Sequence, residues 1–222
     1  MAREVITVTT RGLKDFEKYL NEFPERTLEA ARLSVNDTAK WARTQSSREM
    51  RRQVAFPAQY LDSAADGRLY VSKRAKGNDL EAVITGRHRP TSLARFTSNV
   101  PTVLRQLSSP GGRGKRSGLK VRVSPGRTKT MRRAFPLKLR AGNKDIDTDF
   151  NVGIALRLPK GTAPLNKRRA VPVKSNSQKS DLYLLYAPSF DQVFQDVAKQ
   201  FQEPAARRLE AEFLRQFTRL GG

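Results

Sequence analysis

Few residues of this chain are equipped for catalysis. His88 is the only histidine among 222 residues and cysteine is absent, so no disulfide, thiolate site or multi-histidine zinc site can form. An acyl-transfer nucleophile would depend on His88 alone as its base. The setting Gly86-Arg87-His88-Arg89-Pro90 instead predicts an exposed loop position between arginines. Asp145, Asp147 and Asp149 alternate as in a calcium loop, but Phe150 and Leu156 stand where an EF-hand needs Gly and Glu. A metal-dependent nuclease would have to use the same three carboxylates, whose expected role is to balance neighbouring cations. The run Gly111-Gly112-Arg113-Gly114-Lys115-Arg116-Ser117-Gly118 is similar to a phosphate loop. Ser109 replaces its first glycine, however, and Arg116 replaces the hydroxyl residue after Lys115. No enzyme, no cofactor and no bound metal are expected.

What remains is cationic chemistry. The 43 Lys and Arg exceed the 21 Asp and Glu, giving a formal charge of +22. Residues 82–180 contain 23 basic and 3 acidic side chains, and the flanks contain 20 and 18. A nearly neutral frame therefore surrounds a strongly basic middle. Arg113, Lys115, Arg116, Lys120 and Arg122 form the first part of one cluster, continued by Arg127, Lys129, Arg132 and Arg133. Lys167, Arg168 and Arg169 form another. Such groups neutralise phosphates without reading sequence. No aromatic residue lies between Phe96 and Phe135, so the stacking that single-strand binders use is missing. Backbone contact with double-stranded DNA is the expected nucleic-acid mode. The alternative is contact with acidic neighbouring subunits.

The elements that must carry these residues follow from periodicity. The β-branched run 5–10 reads as a strand, and Leu13, Phe16, Leu20 and Phe23 as a helix ended by Pro24. Leu28, Ala31, Val35, Ala39, Ala42 and Met50 recur at helical spacing, predicting a helix of roughly 25 residues with an alanine-rich face. Strands are expected at 68–72 and 80–85, joined by a turn at Lys76-Gly77-Asn78, and at 119–124, 134–139 and 150–158. The stretches 108–118 and 159–180 read as long basic loops. A C-terminal helix over 189–220 has Ser189 and Gln192 at capping-box spacing, and a kink or break is expected at Pro204. Its face includes Phe201, Phe213 and Phe217, read as core or as a partly exposed subunit interface. The expected fold is α+β over residues 1–222 as a single domain: strand and helices in 1–55, a β region in 67–160, then the basic loop and last helix. An antiparallel sheet is packed by the two long helices. No run is apolar enough to span a membrane and the opening residues show no apolar leader.

The order of features is similar to that of a known family. Asn36-Asp37-Thr38-Ala39 sits in the early helix, followed by Arg89-Pro90-Thr91-Ser92-Leu93-Ala94-Arg95-Phe96 and then Arg133-Ala134-Phe135. Asp181-Leu182-Tyr183-Leu184-Leu185-Tyr186-Ala187-Pro188-Ser189-Phe190 leads into the last helix, with Ala187 where the family has glycine. Over residues 28–200 the chain resembles the minor tail protein Z family of tailed bacteriophages, related to other tail-completion and head–tail joining proteins. The resemblance implies a structural virion protein of the tail or neck, assembled in the host cytoplasm, with no catalytic residues. Its implied partners are other tail and neck proteins (terminator, tube or connector), copies of itself in an oligomeric ring, and double-stranded DNA. Read from charge alone, the chain is a sequence-nonspecific nucleic-acid-binding protein, a packaging or ribosome-associated factor.

Overall fold

Where the order of elements suggests one domain, the chain divides into two compact units. The computed structural model describes residues 4–10, 13, 15–62, 68–86, 91–99, 118–139, 151–165, 169–173 and 177–221. The first unit comprises residues 1–52, 58–89 and 190–222. It contains β1 (Glu4–Thr9), α1 (Phe16–Glu22), α2 (Pro24–Gln53), α3 (Ala58–Asp62), β2 (Leu69–Lys73), β3 (Glu81–Gly86) and α4 (Phe190–Arg219). The second comprises 53–57 and 90–189. It holds β4 (Leu119–Ser124), β5 (Arg127–Met131), β6 (Ala134–Leu139), β7 (Asn151–Pro159), β8 (Ala170–Val173) and β9 (Ser180–Leu185). The class is α+β, with antiparallel sheets and two long helices.

Pro24 opens α2, where a missing N–H breaks no helical bond and the fixed φ is already helical. The helix runs for 30 residues. Its buried face alternates alanine with small hydroxyl residues: Thr27, Ala30, Ala31, Ser34, Val35, Thr38 and Ala39. Two of these hydroxyls are satisfied by bonding back to the helix or to its neighbour, whereas that of Thr38 has no partner among the described residues. Ser34 donates to the Ala31 carbonyl at 2.9 Å, and Thr27 donates to the Tyr19 carbonyl of α1 at 2.8 Å. Asn36 and Arg43 stitch α2 to the β2 region. The Asn36 carboxamide both donates to and accepts from the Ala75 backbone at 3.0 Å, and Arg43 donates to the Leu69 carbonyl at 3.0 Å.

In this unit β3 lies between β1 and β2, antiparallel to both, with Ile84 opposite Ile6 and Val71. Lys76 and Asp79 exchange two backbone hydrogen bonds of 3.0 Å around Gly77 and Asn78, at the expected turn. At the end of β3, Gly86 is required by close approach. A Cβ there would lie 2.8 Å from ring atoms of both Phe190 and Phe194. α4 runs antiparallel to α2: Trp41 meets Phe201 edge-on at 6.2 Å, and Ala30 and Ala31 share a core cluster with Phe213 and Phe217. Phe16 and Tyr19 close that cluster, with ring centroids 5.8 Å from Phe213 and 4.8 Å from Phe217 respectively.

Of the kink or break expected at Pro204, a break does not occur, because α4 continues through it. Proline in a helix interior costs about 3 kcal/mol. Phe194 and Val197 before it, with Leu209 and Phe213 after it, are buried and hold both halves in place. Of the two readings of Phe213 and Phe217, core or partly exposed interface, their burial fits core. They are 1% and 6% exposed, covered by α1 and α2 of the same chain. Phe201 is half-buried against Trp41.

In the second unit a four-stranded antiparallel sheet has the order β6-β7-β9-β8. Its inner strand β7 buries Ile154 and Ala155. Each outer strand contains a proline, Pro136 in β6 and Pro172 in β8, which is where a sheet tolerates the loss of a donor. β8 lies within 159–180, read above as loop. Its pairing with β9, Ala170 opposite Leu185 and Val173 opposite Leu182, is a tertiary contact that local composition does not reveal. A 3-10 turn, Leu93–Phe96, buries Leu93 and Phe96. Ser92 accepts from the Ala94 N–H and donates to the Val152 carbonyl, both at 3.3 Å.

Phe213→Ala should lower the unfolding free energy by about 3–5 kcal/mol, as for other buried phenylalanines, and leave the sedimentation mass unchanged. Unchanged stability with an altered mass would return Phe213 to an interface role.

Candidate nucleic-acid interface

The basic cluster is built on a two-stranded ribbon. β4 alternates Leu119, Val121 and Val123 with Lys120, Arg122 and Ser124; Leu119 and Val121 are buried and the alternate positions are exposed. Pro125 and Gly126 then turn the chain. Gly126 has φ +74°, a value that follows proline in a type II turn and that side chains other than glycine strongly resist. β5 returns antiparallel, with Leu119 opposite Met131, Lys120 opposite Thr130 and Val121 opposite Lys129. One extra residue on β4 between Val121 and Ser124 lets the turn close.

The far edge of β4 is held by the rest of its unit. Thr97 bridges to Val121, and the Ala55 N–H donates to the Val123 carbonyl at 2.8 Å. The Asn99 carboxamide donates to the Gly118 carbonyl at 3.2 Å and accepts from the Lys120 N–H at 3.0 Å. Among the described residues β5 pairs with β4 alone, and it is exposed at every position except half-buried Met131. Residues opposite one another share a face. Lys120 and Arg122 therefore lie on one face with Thr128 and Thr130, while Lys129 lies on the face of Val121. Arg127 stands at the turn, and Arg132 and Arg133 follow the end of β5.

None of these six cations forms an ion pair among the described residues. The described ion pairs instead lie in the first unit, among them Arg32 with Glu29, Lys73 with Asp79 and Glu81, and Arg215 with Asp37 and Glu212. Arg32 hydrogen-bonds Glu29 and holds its carboxyl below the usual range, while Asp79 and then Glu81 hold the Lys73 ammonium above its own. The second unit has 21 basic and 4 acidic side chains in its sequence, against 22 and 17 in the first. Of those four acids only Asp181 is described, and it accepts from the Gly161 N–H.

The structure thus brings together Lys120, Arg122, Arg127, Lys129, Arg132 and Arg133. Arg169 is exposed before β8, and its carbonyl accepts from the Tyr186 N–H at 2.8 Å. Arg113, Lys115, Arg116, Lys167 and Arg168 lie outside the described residues, as do His88 and the Asp145, Asp147 and Asp149 cluster. Among the described residues no three metal-ligating side chains converge, and no helix is long and apolar enough to cross a membrane. Strand β5 was not anticipated, because Arg-Thr-Lys-Thr reads as loop. The Pro-Gly dipeptide between two segments of strand length was the available signal. Asn99, which sets the β4 register, had none.

No protein-family model, curated protein or solved structure matches the chain.

Asn99→Ala removes both bonds that clamp the start of β4. It should cost about 1–3 kcal/mol and accelerate hydrogen exchange at the Lys120 amide. Exchange there at the wild-type rate would show that the ribbon's register is set elsewhere.

Proposed function

We propose that the chain is a structural component of a tailed-phage virion, a tail-completion or neck protein that joins a ring at the head–tail junction and presents a cationic surface to what passes or abuts it. The observation that carries this is the contrast in charge: one unit with its ion pairs and aromatic core closed on itself, and one displaying six cations with no described counter-charge. The two longer strings that carry the resemblance support it by being neighbours in space. Ser92 bridges to Tyr186, and the Ala187 N–H donates to the Thr91 carbonyl at 2.9 Å. Ala187 has no positive φ, so alanine fits where the family has glycine. In this reading the protein works by shape and contact rather than by catalysis. With Phe213 and Phe217 taken up by the first unit's own core, the ring contacts come from other surfaces.

Particles assembled without this chain should show heads and tails that fail to join or fail to deliver DNA, and labelled chain should locate at the junction. Normally joined, infectious particles lacking the chain would refute the proposal. The ribbon also favours a second reading, a free nucleic-acid-binding factor, which predicts that the chain stays on cellular nucleic acid and never enters particles.

A further inference from the structure

We infer that the β4–β5 ribbon is a seat for the sugar-phosphate backbone of duplex DNA, a choice of partner that rests on the ribbon being polyanion-facing. Two groups of partner can meet such a surface, an acidic protein face or a polyphosphate, and the ribbon's composition separates them. Protein interfaces are organised around apolar or aromatic anchors in a desolvated centre. The large exposed apolar residues among those described are Phe23, Tyr70, Leu165, Val171 and Leu214, and none is on the ribbon. Its exposed side chains are cations, the hydroxyls of Ser124, Thr128 and Thr130, and the small Pro125 ring at the turn. Lys, Arg, Ser and Thr, with backbone N–H groups, are the donors that contact phosphate oxygens. β5 adds a strand edge, without a partner among the described residues, that carries such N–H groups.

Edge protection is the competing explanation, since charge on an outer strand discourages sheet-to-sheet pairing. It accounts for Arg127 and Lys129 on β5. It does not account for Lys120 and Arg122, which lie on the strand whose far edge is already covered by Thr97 and Ala55. Arg132 and Arg133 lie beyond the last β5 residue. The missing aromatic residues decide the form of the nucleic acid. Single strands are held by stacking bases on rings, whereas a duplex keeps its bases stacked and offers only backbone to a surface like this one.

The test is fluorescence anisotropy of the full chain with a labelled scrambled-sequence DNA duplex, the matching single strand, the matching RNA duplex and polyglutamate. Affinity for the DNA duplex should be independent of sequence. Each ribbon cation removed should reduce the slope of log affinity against log salt by about 0.9. The pairs Lys120→Ala with Arg122→Ala, and Arg127→Ala with Lys129→Ala, should therefore each reduce it by about 2. Thr128→Val with Thr130→Val should weaken binding about three- to ten-fold with the salt slope intact, a pattern that general unfolding would not produce. Slopes unchanged in both cation variants, preference for the single strand, or tighter binding to RNA duplex would overturn the assignment. Binding to polyglutamate but not to duplex would overturn it and leave the polyanion-facing surface standing. Binding to none of the probes would remove both.

Discussion

Like charges held at strand spacing repel, and the ribbon exists only because its backbone and its buried side of β4 outweigh that repulsion. Neighbours two residues apart on a strand are about 6.6 Å apart, which in water costs about 0.6 kcal/mol per cation pair before salt screening. Burying Leu119 and Val121 contributes about 1.5–3 kcal/mol each. The bonds from Asn99, Thr97 and Ala55 then fix where the strand lies. Packing wins comfortably, so the fold tolerates six cations with no ion pair among the described residues. In the proposed function, the repulsion that remains is what a polyanion would relieve.

The two units handle charge in opposite ways. In the first, acidic and basic side chains on α2 and α4 bond one another. Gln216 donates to Asp37 at 3.2 Å, and Arg208 and Arg215 both bond the nearly buried Glu212. Its core forms within the chain: the rings of Phe16, Tyr19, Phe213 and Phe217 pack together over alanines small enough to admit them. In the second, the four-stranded sheet ends in proline-bearing strands on both sides, and its charge stays on display.

Much of this was legible in the sequence where local pattern and tertiary outcome coincide. The β4 and β6 boundaries follow directly from alternation ending at turn residues, and α2 follows from its alanine spacing and Pro24. Elements defined by distant partners were hidden. β8 is four residues that become a strand only beside β9, and β5 is so charged that only its pairing with β4 shows it to be a strand. Phe213 and Phe217 share spacing with an exposed stripe, and only the position of α1 over them shows that they are core. The charge imbalance was evident at once. Its arrangement over two faces and a turn was not, because the bulge in β4 and the Asn99 clamp determine it.

The central claim is that the ribbon's cations lie against DNA when the protein is at work. A photo-crosslinking amino acid in place of Thr128, in chain incorporated into assembled particles, measures this directly. Crosslinks from that position to DNA are the predicted result. Crosslinks exclusively to protein, from particles that contain DNA and the chain in normal amounts, would contradict the account.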